Sequence, residues 1–434
     1  MKDMRGRRKA SVLMMALTML MLVLAGCGGT ESPGTETTAD TDTNVSAAEK
    51  VITFKIGAVG PLTGPSAEAG RATKEGAEMA ADEINARGGI DAGGKKVKLE
   101  LLFEDSVSKP EVGVSMAEKL LGRDKVDLLV GEMFHSSVTM AIMELASNYP
   151  DIPFMSWQPV SSAITNKVKE DPTKYANFWK GNFDSTGYGR TVFATIKSLV
   201  DSGQIKATTK TLAFVVEDTD YGRSIANDAK ALFEADGWKQ VAMETVPLGH
   251  TDFYPQLSKL KGLNPDVMVT VFTALASGVS FSRQFQELDL ATPQMAVYYP
   301  LRPEFIEQAG TASEGLVWTP LSFAPDVLVS QKPFADAIEA KYKVPATFDH
   351  AMGYDCLMII ANAIAEAGAI DGKQVNDALS KTDYKGLLGR YVFDALGHNI
   401  KDGPDFLPIP AAQIQNGKNV LIWPPSRATG SYLP

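Results

Sequence analysis

The sequence predicts an α/β protein of two successive units, each with a mostly parallel sheet that is covered by helices on both faces. From residue 51 onward, short apolar strands alternate with amphipathic helices, which is the pattern of parallel βαβ units. The alternation breaks at residues 177–184 and then starts again. The chain has 434 residues, which is enough for two units of ordinary domain size.

The first unit is defined by the spacing of its apolar residues. Strands are predicted at residues 51–59, 97–101, 126–133 and 152–156. Between the first two strands, apolar residues from Ala77 to Ile84 recur at positions i, i+3, i+4 and i+7, which predicts a helix that ends at Gly88 and Gly89. Further helices are predicted around residues 114–121 and over residues 136–148.

The second unit repeats this alternation and is followed by helices and a hairpin. Strands are predicted at residues 211–216, 241–246, 266–272, 294–299 and 315–319, with helices between them. Three helical stretches come next, at residues 332–342, 349–367 and 372–380. Residues 410–423 alternate in polarity on either side of Asn416 and Gly417, a dipeptide preferred in type I′ turns, which predicts a β-hairpin.

The first residues have the features of an export signal. A basic stretch precedes an apolar run at residues 12–25, which is too short for a comfortable spanning helix and typical of a secretory signal. The run ends in Leu24, Ala25, Gly26 and Cys27, which resembles the lipobox of bacterial lipoproteins. The resemblance implies a signal peptide over residues 1–26, cleavage before Cys27 and a diacylglycerol on its thiol. The alternative is an ordinary export signal that happens to end near a cysteine.

Residues 27–50 then form a tether in this interpretation, with the acylated Cys27 at its start. The segment is composed mainly of Thr, Gly, Ser and acidic residues and has almost nothing to bury. Such a composition favours a disordered linker.

Charge and cysteine count exclude several classes of protein. The 42 Lys and Arg residues face 52 Asp and Glu residues, and the formal net charge of −10 argues against a nucleic-acid partner. Because Cys27 and Cys356 are the two cysteines, neither a disulfide scaffold nor a Cys-rich metal centre is available. The four histidines are scattered, so we expect no metal and no cofactor.

The sequence contains no recognisable catalytic motif. Neither a nucleotide-binding glycine loop, nor a Gly-x-Ser-x-Gly elbow, nor a His-Glu-x-x-His pair occurs. Cys356 could be a lone nucleophile, but its apolar neighbours favour a buried helix face. The chain is therefore not expected to be an enzyme.

Four stretches, in this order, resemble one family. They are residues 56–70 (IGAVGPLTGPSAEAG), 76–89 (GAEMAADEINARGG), 217–222 (EDTDYG) and 410–425 (PAAQIQNGKNVLIWPP). They resemble the branched-chain-amino-acid type of periplasmic solute-binding proteins, the Leu/Ile/Val-binding-protein-like proteins that serve ABC importers. The resemblance covers residues 51–434 and implies the type I periplasmic-binding-protein fold, in which two lobes joined by three crossovers at a hinge close on a ligand.

The resemblance also implies a domain organisation, partners and a location. Lobe one comprises residues 51–178 plus 320–404, and lobe two comprises residues 179–319 plus 405–434. The expected partners are a small-molecule ligand and the permease and ATPase subunits of an ABC importer, and the expected state is a monomer. Together with the lipobox, the family implies an extracytoplasmic protein that is anchored to the bacterial cell membrane through lipid.

On lobe one, the family places its ligand contacts after the third and fourth predicted strands. His135 and Ser136 stand where small polar residues meet the ligand carboxylate, next to a helix N-terminus that favours an anion. Ser136 fits a plain helix N-cap equally well. Trp157, Gln158 and Ser161 stand near the family's next contacts, and Trp157 either stacks on the ligand or belongs to the core.

On lobe two, Tyr221 matches the family's aromatic residue that closes over the ligand, although it could instead pack at a helix start. After the strand at residues 294–299, amino-acid binders of the family present an acid to the ligand ammonium. This chain has Tyr299 and Arg302 there, and a buried ammonium without a counter-charge would be costly. Together with His135, these residues suit an aromatic or otherwise unsaturated carboxylate.

Three hypotheses follow. The first is a binding protein that delivers a small carboxylate-bearing solute, either an amino acid or an aromatic or other organic acid, to an ABC permease. The alternative is a sensory ligand-binding module, which we would expect to continue into a signalling segment after the lobes. The third is an extracytoplasmic enzyme on the same fold, which would need an acid–base or nucleophile constellation.

Overall fold

The computed structural model describes residues 51–434, and the predicted signal peptide, Cys27 and tether lie outside the described residues. Elements are numbered along the chain. The strands of the first sheet are β1 (Ile52–Gly60), β2 (Ile90–Ala92), β3 (Lys95–Asp105), β4 (Leu128–Glu132), β5 (Phe154–Ser156) and β6 (Phe178–Lys180). Their order is β2-β3-β1-β4-β5-β6, and every neighbouring pair except β2–β3 is parallel.

The second sheet is formed by later strands in the same manner. These are β7 (Thr211–Glu217), β8 (Lys239–Val246), β9 (Val267–Phe272), β10 (Gln294–Tyr298), β11 (Val317–Thr319), β14 (Ala411–Gln415) and β15 (Lys418–Trp423). Their order is β15-β14-β11-β10-β9-β7-β8. The five strands from β7 to β11 pair in parallel, and β14 and β15 add an antiparallel edge.

Helices connect the strands and cover the sheets. They are α1 (Ala67–Ala86), α2 (Pro110–Lys119), α3 (Ser136–Ile142), α4 (Ser162–Glu170), α5 (Ser185–Asp201), α6 (Asp220–Ala235), α7 (Tyr254–Leu263), α8 (Leu275–Glu287), α9 (Pro303–Ala309), α10 (Lys332–Tyr342), α11 (Phe348–Ala367) and α12 (Gly372–Leu379). Strands such as β4 and β9 are buried at every position, as parallel strands covered on both faces should be. The predicted α/β class with two mostly parallel sheets is confirmed.

The chain passes between the two sheets three times. It leaves the first sheet after Lys180, leaves the second after Thr319, and rejoins the second at Ala411. Between the last two passages, α11 packs along α1 beside the first sheet, and a small hairpin of β12 (Asp383–Lys385) and β13 (Arg390–Val392) follows.

The close packing of α1 on α11 depends on two glycines. A Cβ atom at Gly76 would collide with the carbonyl of His350, and a Cβ atom at Gly353 would collide with the carbonyl of Thr73. The two helix backbones therefore approach more closely than any larger residue would permit, which fixes the start of α11 relative to the first sheet.

The predicted elements are present, with differences at short strands and at one helix. The helix predicted over residues 136–148 is an α-helix to Ile142 and a 3₁₀-helix from Met143 to Asn148. The break predicted at residues 177–184 contains β6, a strand of three residues that sequence periodicity cannot detect. Asn416 and Gly417 both have positive φ, at 52° and 70°, so the predicted β-hairpin turn is confirmed.

Among residues 51–434, no single helix is long and apolar enough to cross a membrane, although α11 and α12, bent by 114° at their junction, meet the length and composition test as a pair.

Candidate functional site

The carboxyl ends of the parallel strands of both sheets meet across a cleft. In α/β sheets, ligands bind at this edge because the loops and helix N-termini that follow the strands converge there. Among the hydrogen bonds that link the two sides, Ser161 Oγ lies 2.6 Å from Ser224 Oγ, and the Asp220 N–H donates to Ser137 Oγ at 3.2 Å. Contacts of α3 and α4 with α6 accompany them, so the two edges touch in this structure.

A buried glutamate organises the turn after β4. Glu132 is fully buried and accepts hydrogen bonds from the backbone N–H groups of Phe134 and His135 and from Ser106 Oγ. Burial raises the pKa of Glu132 to about 8, against the opposing effect of these hydrogen bonds, so the carboxyl group is mostly protonated at neutral pH. This carboxyl group and its partners are called the Glu132 site below.

Four side chains from both sides of the cleft form an aromatic cluster, which consists of Phe134, His135, Tyr221 and Tyr298. The ring of Phe134 lies 4.9 Å from that of His135 and 5.6 Å from that of Tyr298. The ring of Tyr221 lies 6.3 Å from that of Tyr298. Burial lowers the pKa of His135 to about 4, so its imidazole is neutral at pH 7.

Several buried polar atoms at this edge have no hydrogen-bond partner among the described residues. They are Ser66 Oγ, His135 Nε2, Trp157 Nε1 and Tyr221 Oη. Buried polar groups are normally paired, so such orphans indicate that something else satisfies them in the working protein. Each of the four groups can donate a hydrogen bond, which fits a ligand group rich in acceptors.

Ser136, Gln158 and Ser161 lie near the cleft, but each forms a hydrogen bond with another group of the protein. Ser136 Oγ accepts the Ser161 N–H at 3.3 Å, and Ser161 Oγ accepts the Ala163 N–H at 3.2 Å as an N-cap. Gln158 Nε2 donates to Thr73 Oγ1 on α1. Because the N–H groups at the start of α4 already have partners, that helix end does not offer them to a carboxylate in this arrangement.

Trp157 is fully buried in the main hydrophobic core, with its ring away from solvent. Of the two interpretations that the sequence left open, the core environment is therefore observed, and only the unpartnered indole N–H points to a polar neighbour. Tyr221 is half-buried at the start of α6 and belongs to the aromatic cluster.

Tyr299 does not lie in the cleft, and the neighbouring Tyr298 takes that place. The Tyr299 hydroxyl lies 3.0 Å from Thr270 Oγ1, and its ring packs against Phe272 and Phe305 in the core of the second sheet. The reason is the backbone of Tyr298, with φ 80° and ψ −57°, a γ-turn geometry that is strained for a bulky residue. This kink breaks the strand alternation, so Tyr298 and Val297 both lie in the main hydrophobic core, and the Tyr298 ring contacts Phe134 and Tyr221.

Arg302 is almost fully buried and is already paired. Its guanidinium forms an ion pair with Asp349, and its Nη2 donates to Tyr298 Oη at 2.8 Å. Asp349, at the start of α11, also accepts the Tyr298 hydroxyl at 2.7 Å. The residues that follow the strand at 294–299 suggested a position without an acid, but Asp349, 47 residues after Arg302 in the chain, lies there. The arrangement of Asp349, Arg302 and Tyr298 is called the Asp349 site.

A third buried carboxyl group, Glu217, ends β7. It accepts hydrogen bonds from Thr273 Oγ1 and from the Ala274 N–H, and burial raises its pKa to about 7. Among the described residues, no group of three or more His, Cys, Asp or Glu side chains is arranged to hold a metal ion.

Sequence reasoning missed Ser66, Tyr298 and Asp349. Ser66 follows the Gly-Pro-Leu-Thr-Gly-Pro turn after β1, and its position before a helix would suggest a cap, yet its hydroxyl makes no capping bond. Tyr298 could have been considered as the neighbour of Tyr299. Asp349 carries no local signal, because its role depends on the packing of α11 against α1.

Two α/β bodies that face each other across a cleft lined with aromatic and unpaired polar groups define a bilobal ligand-binding protein. A family model described as periplasmic binding protein matches residues 53–417. The chain therefore belongs to the periplasmic binding protein family, and the resemblance stated from the sequence motifs is confirmed.

Relatives of known kind agree with this assignment. The leucine-, isoleucine-, valine-, threonine- and alanine-binding protein of Pseudomonas aeruginosa is 27% identical over 347 residues, which cover 80% of this chain and 87% of that protein. The branched-chain amino acid transporter substrate-binding protein LivJ of Streptococcus pneumoniae, solved with isoleucine, has a TM-score of 0.70 at 26% identity and covers 86% of this chain and 100% of its own.

A solute-binding protein of an ABC transporter from R. palustris, solved with benzoate, shares the fold. Its TM-score is 0.70 at 22% identity, with 85% of this chain and 95% of that chain covered. Family membership makes this chain an extracytoplasmic solute-binding protein and not an enzyme.

Proposed function

We propose that this protein captures a small carboxylate-bearing solute between two closing lobes and delivers it to an ABC permease. Lobe one would comprise residues 51–178 plus 320–404, and lobe two residues 179–319 plus 405–434. In support, the chain leaves the first sheet after Lys180, leaves the second sheet after Thr319 and rejoins the second sheet at Ala411. Hinge closure around a ligand would then bring the two strand edges together.

The observation that carries the ligand class is the set of unpartnered donors at the aromatic cluster. His135 is neutral at pH 7, so its Nε2 can donate in one tautomer, and the Tyr221 hydroxyl and the Trp157 indole can donate as well. A carboxylate has only acceptors, and hydrogen bonds to a charged acceptor are the stronger kind. The rings of Phe134 and Tyr298 would pack against an apolar or aromatic body.

The charges near the cleft argue against a required α-ammonium group. Glu132 is mostly protonated, Glu217 titrates near neutrality, and Asp349 is already paired with Arg302. A buried ammonium would lose its hydration, and Glu217 is the carboxyl group that is partly ionised and unpaired at pH 7 among these three. Proteins of this fold hold isoleucine in one solved structure and benzoate in another, so the fold itself leaves both classes open.

Calorimetry with matched ligands tests the proposal. The set is leucine, valine, their deaminated counterparts 4-methylpentanoate and 3-methylbutanoate, and benzoate. We expect at least one of the acids without an ammonium group to bind more tightly than leucine or valine. Tight leucine binding with the acids silent would contradict the proposed ligand class.

Two tyrosine variants locate the ligand. Tyr221→Phe removes a hydroxyl without a partner, and we expect ligand affinity to fall about fivefold, which corresponds to about 1 kcal/mol. Tyr299→Phe removes a hydroxyl that is bonded to Thr270 in the core, so affinity should stay unchanged. Equal effects of the two changes would argue against the aromatic cluster as the site.

The lipid anchor is a separate part of the proposal and rests on the lipobox at residues 24–27. Two or more acyl chains hold a protein firmly at a membrane, whereas a single chain binds only marginally. Cys27→Ser should release the protein from the membrane fraction and leave ligand affinity unchanged. A variant that stays membrane-bound after a salt wash would contradict lipid anchoring.

A further inference from the structure

The Asp349 site joins the two sides of the cleft through a buried ion pair. Asp349 is 0% exposed and begins α11, which packs on α1 beside the first sheet, whereas Arg302 is 4% exposed and follows β10 of the second sheet. The two charges meet directly, and the Tyr298 hydroxyl bonds both of them. Tyr298 is at the same time a member of the aromatic cluster.

Stability alone is a poor reason for this arrangement. The desolvation of two buried charges often costs as much as their attraction returns, and apolar replacements are frequently neutral or stabilising. A buried pair at the edge of a ligand site has a second consequence, because each charge remains available to a ligand if its partner is removed. The net charge next to Tyr298 therefore depends on whether Asp349 and Arg302 are both present.

We infer that Asp349 and Arg302 together determine the charge selectivity of the ligand site. Arg302 forms an ion pair with the Asp349 carboxylate, which would otherwise attract the ammonium group of an amino acid. Asp349 in turn neutralises the Arg302 guanidinium, which would otherwise attract a second carboxylate group of the ligand. The pair thereby favours monocarboxylates over both amino acids and dicarboxylates. This inference rests on the proposed function, since it concerns the selectivity of the same site.

Other charged groups lie near the pair, since Glu68, Arg71, Glu75 and Glu304 line the same cavity as Arg302. His350, the residue after Asp349, bonds Thr347 through Nδ1 and lies 3.1 Å from the Glu75 carboxylate through Nε2. Thr347 Oγ1 is 3.4 Å from the Asp349 carboxylate, which places one neutral donor beside the pair. Removal of Arg302 or Asp349 changes the charge next to the Tyr298 hydroxyl, because that hydroxyl is hydrogen-bonded to both of them.

Three variants separate the two charges. Arg302→Gln frees the Asp349 carboxylate, Asp349→Asn frees the Arg302 cation, and the double variant removes both. Isothermal calorimetry is run with 4-methylpentanoate, leucine and succinate on each protein, after circular dichroism and thermal unfolding have shown that it is folded. Relative to 4-methylpentanoate, we expect Arg302→Gln to improve leucine binding about tenfold and Asp349→Asn to improve succinate binding about tenfold. The double variant should return towards wild-type selectivity.

The outcomes are distinguishable. If wild type binds 4-methylpentanoate and folded Arg302→Gln shows no relative gain for leucine, the inference is overturned. If Arg302→Gln does not fold, Asp349→Asn decides, and an unchanged succinate ratio overturns the inference. If wild type binds none of the carboxylates used here or in the broader calorimetric set, the proposed function itself fails.

Discussion

The Glu132 site and the Asp349 site avoid an unbalanced buried negative charge in two different ways. Glu132 is buried among uncharged donors, and its carboxyl group becomes neutral because burial raises its pKa to about 8. Asp349 is equally buried but lies against Arg302, so the charge persists and is balanced by an opposite one. The first solution is local, since its donors lie within 26 residues, and the second crosses the cleft.

The difference shows that the charge of the Glu132 site changes with pH, whereas the charge of the Asp349 site changes when one member of its ion pair is mutated. A protonated carboxyl group ionises when the pH rises, whereas the positive charge of an arginine does not change over the same pH range. Loss of one member of the ion pair leaves an unbalanced buried charge, which a neutral glutamic acid never does. Each site can therefore be broken separately.

The largest effect is expected at the Asp349 site. Asp349→Ala leaves the Arg302 cation buried and unpaired, and we expect the free energy of unfolding to fall by about 3–5 kcal/mol. Urea unfolding followed by circular dichroism measures it. Asp336→Ala is the matched control, because Asp336 pairs with Lys332 on the exposed surface of α10, where an ion pair contributes about 1 kcal/mol or less. Similar losses for the two variants would contradict a buried, functional pair.

The second effect is a pH dependence that originates at the Glu132 site. A carboxyl group whose pKa is raised to about 8 in the folded state stabilises the protein fully below its ordinary value and loses that contribution as the pH rises through 8. The free energy of unfolding should therefore fall between pH 6.5 and 8, by up to about 1.4 kcal/mol per pH unit for this group. Glu217, with a pKa raised to about 7, contributes with the same sign.

Glu132→Gln isolates this contribution. A glutamine can accept the two backbone N–H groups and donate to Ser106, so it resembles the protonated acid and cannot titrate. The variant should show a flatter stability profile above pH 6.5, and the remaining slope includes the contribution of Glu217. His135, whose pKa is lowered to about 4, acts with the opposite sign, and because it is present in both proteins its effect cancels in the comparison. A profile identical to that of wild type would refute the protonated state of Glu132.

The smallest effect is expected at a hydrogen bond between the two sides of the cleft. Ser224→Ala removes the 2.6 Å bond to Ser161 Oγ across the cleft, which should weaken ligand affinity about fivefold, or about 1 kcal/mol. Ser202→Ala is the control, because Ser202 Oγ bonds to the Ser198 carbonyl within its own helix end. Calorimetry with the best carboxylate compares the two, and equal affinities would argue against this bond as part of the closed form.

The sequence predicted the elements that depend on local patterns, namely strands, helices and the hairpin turn, but not the contacts that depend on tertiary packing. The strand–helix alternation predicted both sheets because each element buries its own apolar residues, and the turn at Asn416 and Gly417 follows from backbone preference. His135 and Tyr221 were identified by motif position, and both belong to the aromatic cluster. Tyr299 was chosen over Tyr298 because alternation cannot anticipate a residue with positive φ.

The charge at the second side of the cleft could not be inferred from nearby residues. Asp349 reaches Arg302 because α11 returns to pack against α1, with Gly76 and Gly353 permitting the close approach. That contact depends on the three-dimensional path of the chain, and neither residue carries a motif. Nearby residues therefore suggested that no acid reaches this position, and the structure shows that Asp349 does.

The account depends most on the closure of two lobes around a carboxylate, and small-angle scattering measures this directly. A protein that comprises residues 51–434 is titrated with the carboxylate that binds most tightly in calorimetry, and its radius of gyration is measured up to saturation. The account predicts a decrease in the radius of gyration, together with a higher unfolding temperature because the ligand binds only the folded protein. A scattering curve that stays unchanged at saturating ligand would contradict it.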